Sequence, residues 1–240
     1  TGGTYTHLKN NGVNCISIED VTSFPEILEG RVKTLHPKIH GGLLSKRGNE
    51  LHSKHVKENN IEYIDLVCVN LYPFEETIKK EGVSEEEIIE NIDIGGPSML
   101  RSAAKNFNDV TVVTDIKDCD LILEELNNGG ITLSTRRSLA IKVFNTTASY
   151  DAAIANYFNK VDNLVPEKLT LSYKLEETLR YGENPHQKAY HYVQDNNESY
   201  ALQNAVQLHG KEMSYNNIQD ASAALDILSE FDETTCVAVK

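Results

Sequence analysis

Three short apolar runs, at residues 13–18, 64–69 and 110–114, are closed on each side by polar or turn-forming residues. Compact runs of that length without alternation are the pattern of strands buried on both faces. Between them the period changes. Ser84-Glu85-Glu86-Glu87 has the form of a capping box: the Ser84 hydroxyl accepts from the amide three residues on, Glu87 reaches back, and Ile88, Ile89 and Ile92 supply an apolar face. A further helix is predicted over residues 97–105, because Pro97 suits a first turn and Met99, Ala103 and Ala104 suit a packed one. From residue 134 to residue 159, Leu139, Ala140, Val143, Phe144, Ala153, Ile154, Tyr157 and Phe158 recur at helical spacing. That predicts one long buried helix, or two joined near Asn145-Thr146-Thr147. Strand and helix alternate, so the fold class expected is α/β, a mostly parallel sheet with helices on both faces.

The pattern lapses at residues 163–167, around Pro166, and a domain boundary is placed there, giving domains of residues 1–164 and 165–240. Beyond it the sequence predicts a loop over 180–187, a strand over 189–193, a polar turn over 194–199, a helix over 218–231 and a strand over 234–239. A segment this short that stops on a strand is expected to be the opening of a domain. Thr1 in place of a methionine leads to the expectation that the chain starts inside a larger protein.

The net charge of −13 changes the picture by exclusion. General nucleic-acid binding needs a basic face that displaces counterions, so any phosphate site here must be local. Cys15, Cys68, Cys119 and Cys236 are widely spaced with no accompanying histidine pattern, which indicates neither a disulfide framework nor a zinc site and makes the reduced cytoplasm the expected compartment. No long apolar span or signal peptide is seen, so no membrane partner is expected.

Candidate chemistry begins with Gly30-Arg31-Val32-Lys33-Thr34-Leu35-His36-Pro37-Lys38-Ile39-His40-Gly41-Gly42, which keeps no apolar period and gathers cations, histidines and glycines. Arg31 offers a flat fork for phosphate or carboxylate, and Lys33 a mobile charge that can also give up a proton; a solvated basic turn is the plainer reading. Tyr72, in Asn70-Leu71-Tyr72-Pro73-Phe74, follows a predicted strand, the side of an open α/β sheet where ligands bind. It is either an oxyanion donor or a core aromatic. Asp93-Ile94-Gly95-Gly96-Pro97 joins a carboxylate to a two-glycine turn at a helix start, where free amides favour an anion, although Asp93 can equally be a cap. Lys105 lies further along that helix; paired with Asp93 it would make a proton shuttle, whereas Arg101 and Lys105 on one face can simply be solvated. His36 and His40 are rejected as metal ligands, since Pro37 interrupts the helix an i, i+4 pair needs and no third ligand is placed. The turn Thr1-Gly2-Gly3-Thr4 can cup a phosphate with its amides, a weak signal by itself. Arg180-Tyr181-Gly182-Glu183-Asn184-Pro185-His186-Gln187 is too dense in functional groups for a linker, Ser214-Tyr215-Asn216-Asn217 leads into a helix with capping as its plainer role, and Lys240 ends a predicted strand.

Taken together, residues 30–37, 70–74, 92–96 and 180–187 with Leu208-His209-Gly210-Lys211-Glu212 closely resemble, in order and over essentially the whole chain, the bifunctional purine-biosynthesis enzymes that join IMP cyclohydrolase to phosphoribosylaminoimidazolecarboxamide formyltransferase. The resemblance implies a cyclohydrolase domain of methylglyoxal-synthase-like fold followed by the start of a formyltransferase domain of cytidine-deaminase-like α/β fold. It implies Lys33, Tyr72, Asp93 and Lys105 as cyclisation residues, and Arg31, Thr34, Gly95, Gly96 and the Thr1, Gly2, Gly3, Thr4 turn as the nucleotide cradle. Arg180, Tyr181, Asn217 and Lys240 would serve the transferase, with Lys240 catalytic. Cyclisation would need no cofactor or metal; the full-length transferase would take 10-formyltetrahydrofolate as co-substrate, purine-pathway ribonucleotides would be the partners, and the full-length protein would be a homodimer. The family's histidine after Lys240 and its first strand before Thr1 fall outside the sequence, so transfer activity is not expected of these 240 residues alone. The competing reading is a nucleotide-binding or regulatory methylglyoxal-synthase-like module without catalysis.

Overall fold

Two of the three predicted strands meet as neighbours. The structure, a computed structural model, describes residues 2–194 and 201–239 and divides into two units, one ending at Thr170 and the other beginning at Leu171. In the first unit the helices are α1 (Gly2–Asn10), α2 (Ile18–Thr22), α3 (Pro37–Leu44), α4 (Glu50–Glu58), α5 (Phe74–Ile78), α6 (Glu85–Glu90), α7 (Gly95–Lys105), α8 (Cys119–Asn127) and α9 (Leu133–Val161). Strand β1 (Leu66–Cys68) lies parallel to β2 (Thr111–Val113), Val67 opposite Val112, and the ladder is extended by the Val69 amide donating to the Val113 carbonyl at 3.0 Å. A parallel pair joined through helices is the α/β arrangement the alternation predicts.

The core forms where α3, α7 and α9 close over β2. Leu43, Leu100, Ala103, Val110, Val112 and Val143 have no exposed surface there, with Ile39, Leu139 and Ala140 packed among them. All of β2 is buried, whereas Leu66 and Cys68 at the ends of β1 are exposed. The difference follows from what covers each strand, since Val112 and Val113 of β2 sit in the core among residues of α7 and α9, while of β1 only Val67 packs against that core. A second cluster joins Phe74, Ile88 and Tyr150, the Phe74 ring standing edge-on to Tyr150 and to Tyr157 at centroid distances of 6.2 and 5.9 Å.

Ser84 caps α6 through the Glu87 amide at 3.1 Å, as its sequence predicts. Of the two alternatives left for residues 134–159, the structure has the single helix: α9 runs 29 residues from its Thr132 cap. It is buried along one stripe only, with Ile141 and Phe144 exposed on the other side. The strand expected at 13–18 does not form. Residues 13–17 carry no regular secondary structure and no ladder partner among the described residues, Val13 and Ile16 are exposed, and Ser17 caps α2 through the Asp20 amide. Apolarity alone does not make a strand; its backbone needs a neighbour.

In the second unit β3 (Lys174–Thr178) and β4 (Tyr190–Val193) pair antiparallel, with an irregularity between Leu175 and Glu177, and α10 (Tyr215–Ser229) follows. The strand expected over 189–193 forms as β4, and the helix expected over 218–231 forms as α10 but starts three residues earlier, directly after the Ser214 cap; β3, with three exposed charged or polar positions around a half-buried Glu177, carries too little apolar pattern to be seen in sequence. No strand forms over 234–239, again for want of a partner among the described residues. The predicted turn at 194–199 falls mostly outside the described residues.

Candidate active site

Ile27 and Val32 close a tight turn, each donating its amide to the other's carbonyl at 3.3 and 3.4 Å. Leu28, Glu29 and Gly30 inside it all have left-handed backbones, at φ 54, 55 and 92°. Non-glycine residues take that region at a cost of about 1 kcal/mol or more each, the kind of strain that collects at functional sites. At Gly30 a side chain would also collide, since a Cβ would lie 2.7 Å from Glu26 Oε1 and 2.8 Å from Lys33 Cε. The turn therefore delivers Lys33 beside Glu26, with Nζ 3.0 Å from the carboxylate. Arg31 faces outward and pairs with Glu90 on α6, an exposed contact that raises the guanidinium pKa and holds the Glu90 carboxyl below its usual value, hydrogen bonding being the main cause of both.

Thr34 is buried against the start of α7: a Cβ on Gly95 would lie 2.7 Å from Thr34 Oγ1. Directly after it, His36 Nδ1 accepts from the Lys38 amide at 3.2 Å and caps α3, whose first residue is Pro37. On α7's other flank the Asp93 carboxylate accepts from the Gly96 amide at 2.8 Å, and its second oxygen lies 3.4 Å from the Tyr72 amide. Gly96 has no room for a Cβ, which would overlap that carboxylate. The Tyr72 side chain itself is half exposed. Thus the Lys33–Thr34 segment, Tyr72, Asp93, Gly95 and Gly96 gather at one helix start, just beyond the carboxyl end of β1. The capping role of Asp93 is real and does not compete with a site role, because the cap is what fixes the carboxylate. Gly96 in turn spends its amide on Asp93, so of the two glycines it serves the acid rather than an incoming anion.

Other candidates are not brought there. Lys105 is the last residue of α7, and with a rise of about 1.5 Å per residue it stands about 15 Å along the axis from Gly95. An Asp93–Lys105 proton-sharing pair is therefore corrected: a helix separates the two within one chain. Gly2, Gly3 and Thr4 form the exposed first turn of α1, a helix start and not an open turn, while Thr1 and Lys240 lie outside the described residues. His40 bonds Ser102 Oγ across α3 and α7 at 2.9 Å, and burial lowers its pKa. No group of three side chains suited to a metal occurs among the described residues.

Within the second unit, the Arg180 amide donates to the Met213 carbonyl at 3.4 Å and the Tyr215 amide to the Tyr181 carbonyl at 3.2 Å, so the 180–187 loop lies beside the start of α10. The Arg180 guanidinium lies 4.9 Å from the Tyr181 ring centroid and donates to its hydroxyl at 3.2 Å. Asn217 completes a capping box with Ser214, accepting from its amide at 3.1 Å. Arg180, Tyr181 and Asn217 are thereby collected on neighbouring segments of one unit.

The MGS-like domain family matches residues 1–98, and the family described as AICARFT/IMPCHase bienzyme matches residues 103–240. The chain belongs to the AICARFT/IMPCHase bienzyme family. It is similar to the bifunctional purine biosynthesis protein PurH of Enterococcus faecalis, at 59% identity over 100% of this chain and 47% of the relative. PurH of Lactobacillus acidophilus stands at the same identity and shares, and that of a Thermoanaerobacter species at 55%, again over 100% and 47%. The chain thus spans about half the length of the curated relatives it matches. A crystal structure of ForH superimposes with a TM-score of 0.58 at 38% identity, covering 65% of this chain and 81% of that one. The resemblance read from the five motifs is the family the comparisons give.

For a member of this bienzyme family, the sequence reading overlooked the residues that hold the site. Glu26 and Glu90 belong to no motif, and their pairing with Lys33 and Arg31 is set by the left-handed turn. Tyr150 sits on a helix 57 residues from Asp93, yet its hydroxyl accepts from the Asp93 amide at 2.8 Å. The one available signal is that a phenol at a core position of α9 needs a polar partner somewhere.

Proposed function

We propose that the first unit closes the purine ring of formylaminoimidazolecarboxamide ribonucleotide to give IMP, and that the chain is the cyclohydrolase portion, with the opening of the formyltransferase portion, of a de novo purine-biosynthesis enzyme. The convergence of Lys33–Thr34, Tyr72 and Asp93 on the start of α7 carries this reading, together with the family. In the reaction the carboxamide nitrogen bonds to the formyl carbon, whose oxygen takes up a proton. Water then leaves as that hydroxyl and the former formamide N–H are lost and the C=N bond forms. Such a step needs orientation, a base and donors for the oxyanion.

Asp93, held ready by the Gly96 amide, takes the carboxamide proton. Tyr72 donates to the developing oxyanion, and Lys33, released from Glu26, orients the carbonyl and protonates the departing oxygen. Thr34 and Gly95 hold the nucleotide, with Arg31 and the Thr1–Thr4 segment assigned to it by the motifs alone. Lys105 acts apart from Asp93, its part resting on the motif alone. In the longer enzyme Arg180, Tyr181, Asn217 and Lys240 bind the carboxamide ribonucleotide or assist transfer from 10-formyltetrahydrofolate, in a cytoplasmic homodimer whose second domain is cytidine-deaminase-like.

The test is to add the formylated ribonucleotide to the purified protein and follow IMP. Turnover above the uncatalysed rate supports the reading. A raised melting temperature with the nucleotide but no IMP would instead support a binding or regulatory module, which needs phosphate contacts but no poised carboxylate.

A further inference from the structure

Tyr150 lies at mid-length of α9 and is 7% exposed. Its hydroxyl uses both of its hydrogen-bonding capacities on one short segment: it donates to the Asn91 carbonyl at 2.9 Å and accepts from the Asp93 amide at 2.8 Å. That segment links α6 to α7 and carries the candidate base. The same ring meets Phe74 edge-on, and Phe74 follows Tyr72 by two residues in the other wall of the site, the Tyr72–Pro73–Phe74 loop. One side chain from the core thus pins both walls. We propose that Tyr150 is a positioning residue for ring closure, its hydroxyl fixing the backbone on either side of Ile92 so that the Asp93 carboxylate meets the substrate's carboxamide N–H.

The inference rests on the cyclisation reading above and extends it to a residue that touches no substrate. Two further features agree with it. The Asp93 carboxylate is anchored on its far side by the Gly96 amide, so with Tyr150 holding the Asp93 amide the residue is gripped at both backbone and side chain. Burial pushes the phenol pKa above its ordinary value, so the hydroxyl keeps its proton and goes on donating to Asn91. A buried ring that served packing alone would have no need for an oxygen satisfied on both sides.

Tyr150→Phe preserves the ring and its contact with Phe74 and removes only the hydroxyl. In the purified protein, kcat for IMP formation should fall about tenfold to a hundredfold, the scale of a small misplacement of a reacting group. KM should stay within about threefold, because the lost contact orients the base and not the nucleotide. In an Asp93→Asn background the same substitution should cost nothing more, since the hydroxyl acts through Asp93. Ile88→Val, which loosens the same aromatic cluster without touching the hydroxyl, should leave kcat unchanged. Independently of any variant, the Asp93 amide of the wild-type protein should be protected from hydrogen exchange. Wild-type kcat in Tyr150→Phe overturns the proposal, as does an equal loss in Ile88→Val, an undiminished loss in the Asp93→Asn background, or an unprotected Asp93 amide. Absence of IMP formation by the wild-type protein refutes the cyclisation reading and the positioning role with it, whereas any of the former results with an active wild type refutes the positioning role alone.

Discussion

Gly96→Ala separates the fold from the chemistry. Gly96 has a helical backbone in the first turn of α7, so alanine is conformationally welcome there and gains about 1 kcal/mol of helix propensity. Its methyl group, however, would stand where the Asp93 carboxylate lies, with the carboxyl carbon only 2.9 Å away. The carboxylate must rotate off the helix start, and the 2.8 Å bond from the Gly96 amide is lost. A hydrogen bond to a charged acceptor contributes about 1.5–3 kcal/mol, so the net destabilisation is about 1 kcal/mol, and for a unit of this size the melting temperature should drop by about 2–4 °C. Turnover should respond on another scale: displacing a general base forfeits a factor of about 100 or more. The assay pairs IMP formation from the formylated ribonucleotide with a thermal melt followed by far-ultraviolet circular dichroism. A Gly96→Ala protein that melts a few degrees low and still turns over within about threefold of wild type would show that the placement of Asp93 is immaterial to the reaction.

Lys33→Ala should lower cyclisation by about a hundredfold or more while hardly moving the melting temperature, because a partly exposed ion pair such as Lys33–Glu26 contributes little to stability; near-normal turnover in the folded variant removes Lys33 from the mechanism. Asp93→Asn and Lys105→Ala, set at opposite ends of α7, should have additive effects on log kcat, and a double variant no worse than the poorer single would instead show that the two act as one unit. Hydrogen bonds, from the Thr135 hydroxyl first and the Thr132 amide next, hold the Glu125 carboxyl below its ordinary value of 4.5. The stability it supplies is therefore present above pH 4.5 and lost as pH falls through the lowered folded-state value. Glu125→Gln should be less stable than wild type at neutral pH, with the gap closing in acid; a gap that is constant from pH 7 to pH 3 would count against it.

What the sequence displays and what it hides divide along a physical line. Local signals were readable: Ser84 as a cap, α9 from its apolar stripe, β1 and β2 from compact apolar runs. Residues 13–17 and 234–239 show the limit of such signals, because a ladder is a relation between two segments and an apolar run states only one side of it. The site divides in the same way. Asp93, Gly95 and Gly96 stand out because a carboxylate beside a two-glycine helix start offers free amides to an anion, Lys33 because its loop gathers cations and keeps no apolar period, and Thr34 through the resemblance alone. What set them relative to one another was not legible, since Glu26, Glu90 and Tyr150 act through the fold and not through spacing.

The Lys105 placement shows why that distinction matters for mechanism. Asp93 stands just before α7 and Lys105 at its end, and a lysine and an aspartate brought together are natural partners in proton transfer. But separation along a helix is distance, about 1.5 Å for each residue, and only turns of three or four residues bring side chains together. Asp93 finds its neighbours instead across the fold: Tyr72 from the loop after β1, Gly96 from its own helix, Tyr150 from α9. Each contact comes from a different element, and each element is fixed by burial elsewhere, Phe74 and Tyr150 in one cluster and Leu100 with Ala103 in the other. A carboxylate anchored in this way pays its reorganisation when the protein folds rather than when substrate arrives, which is the condition under which a half-buried aspartate at a helix start can serve as a base.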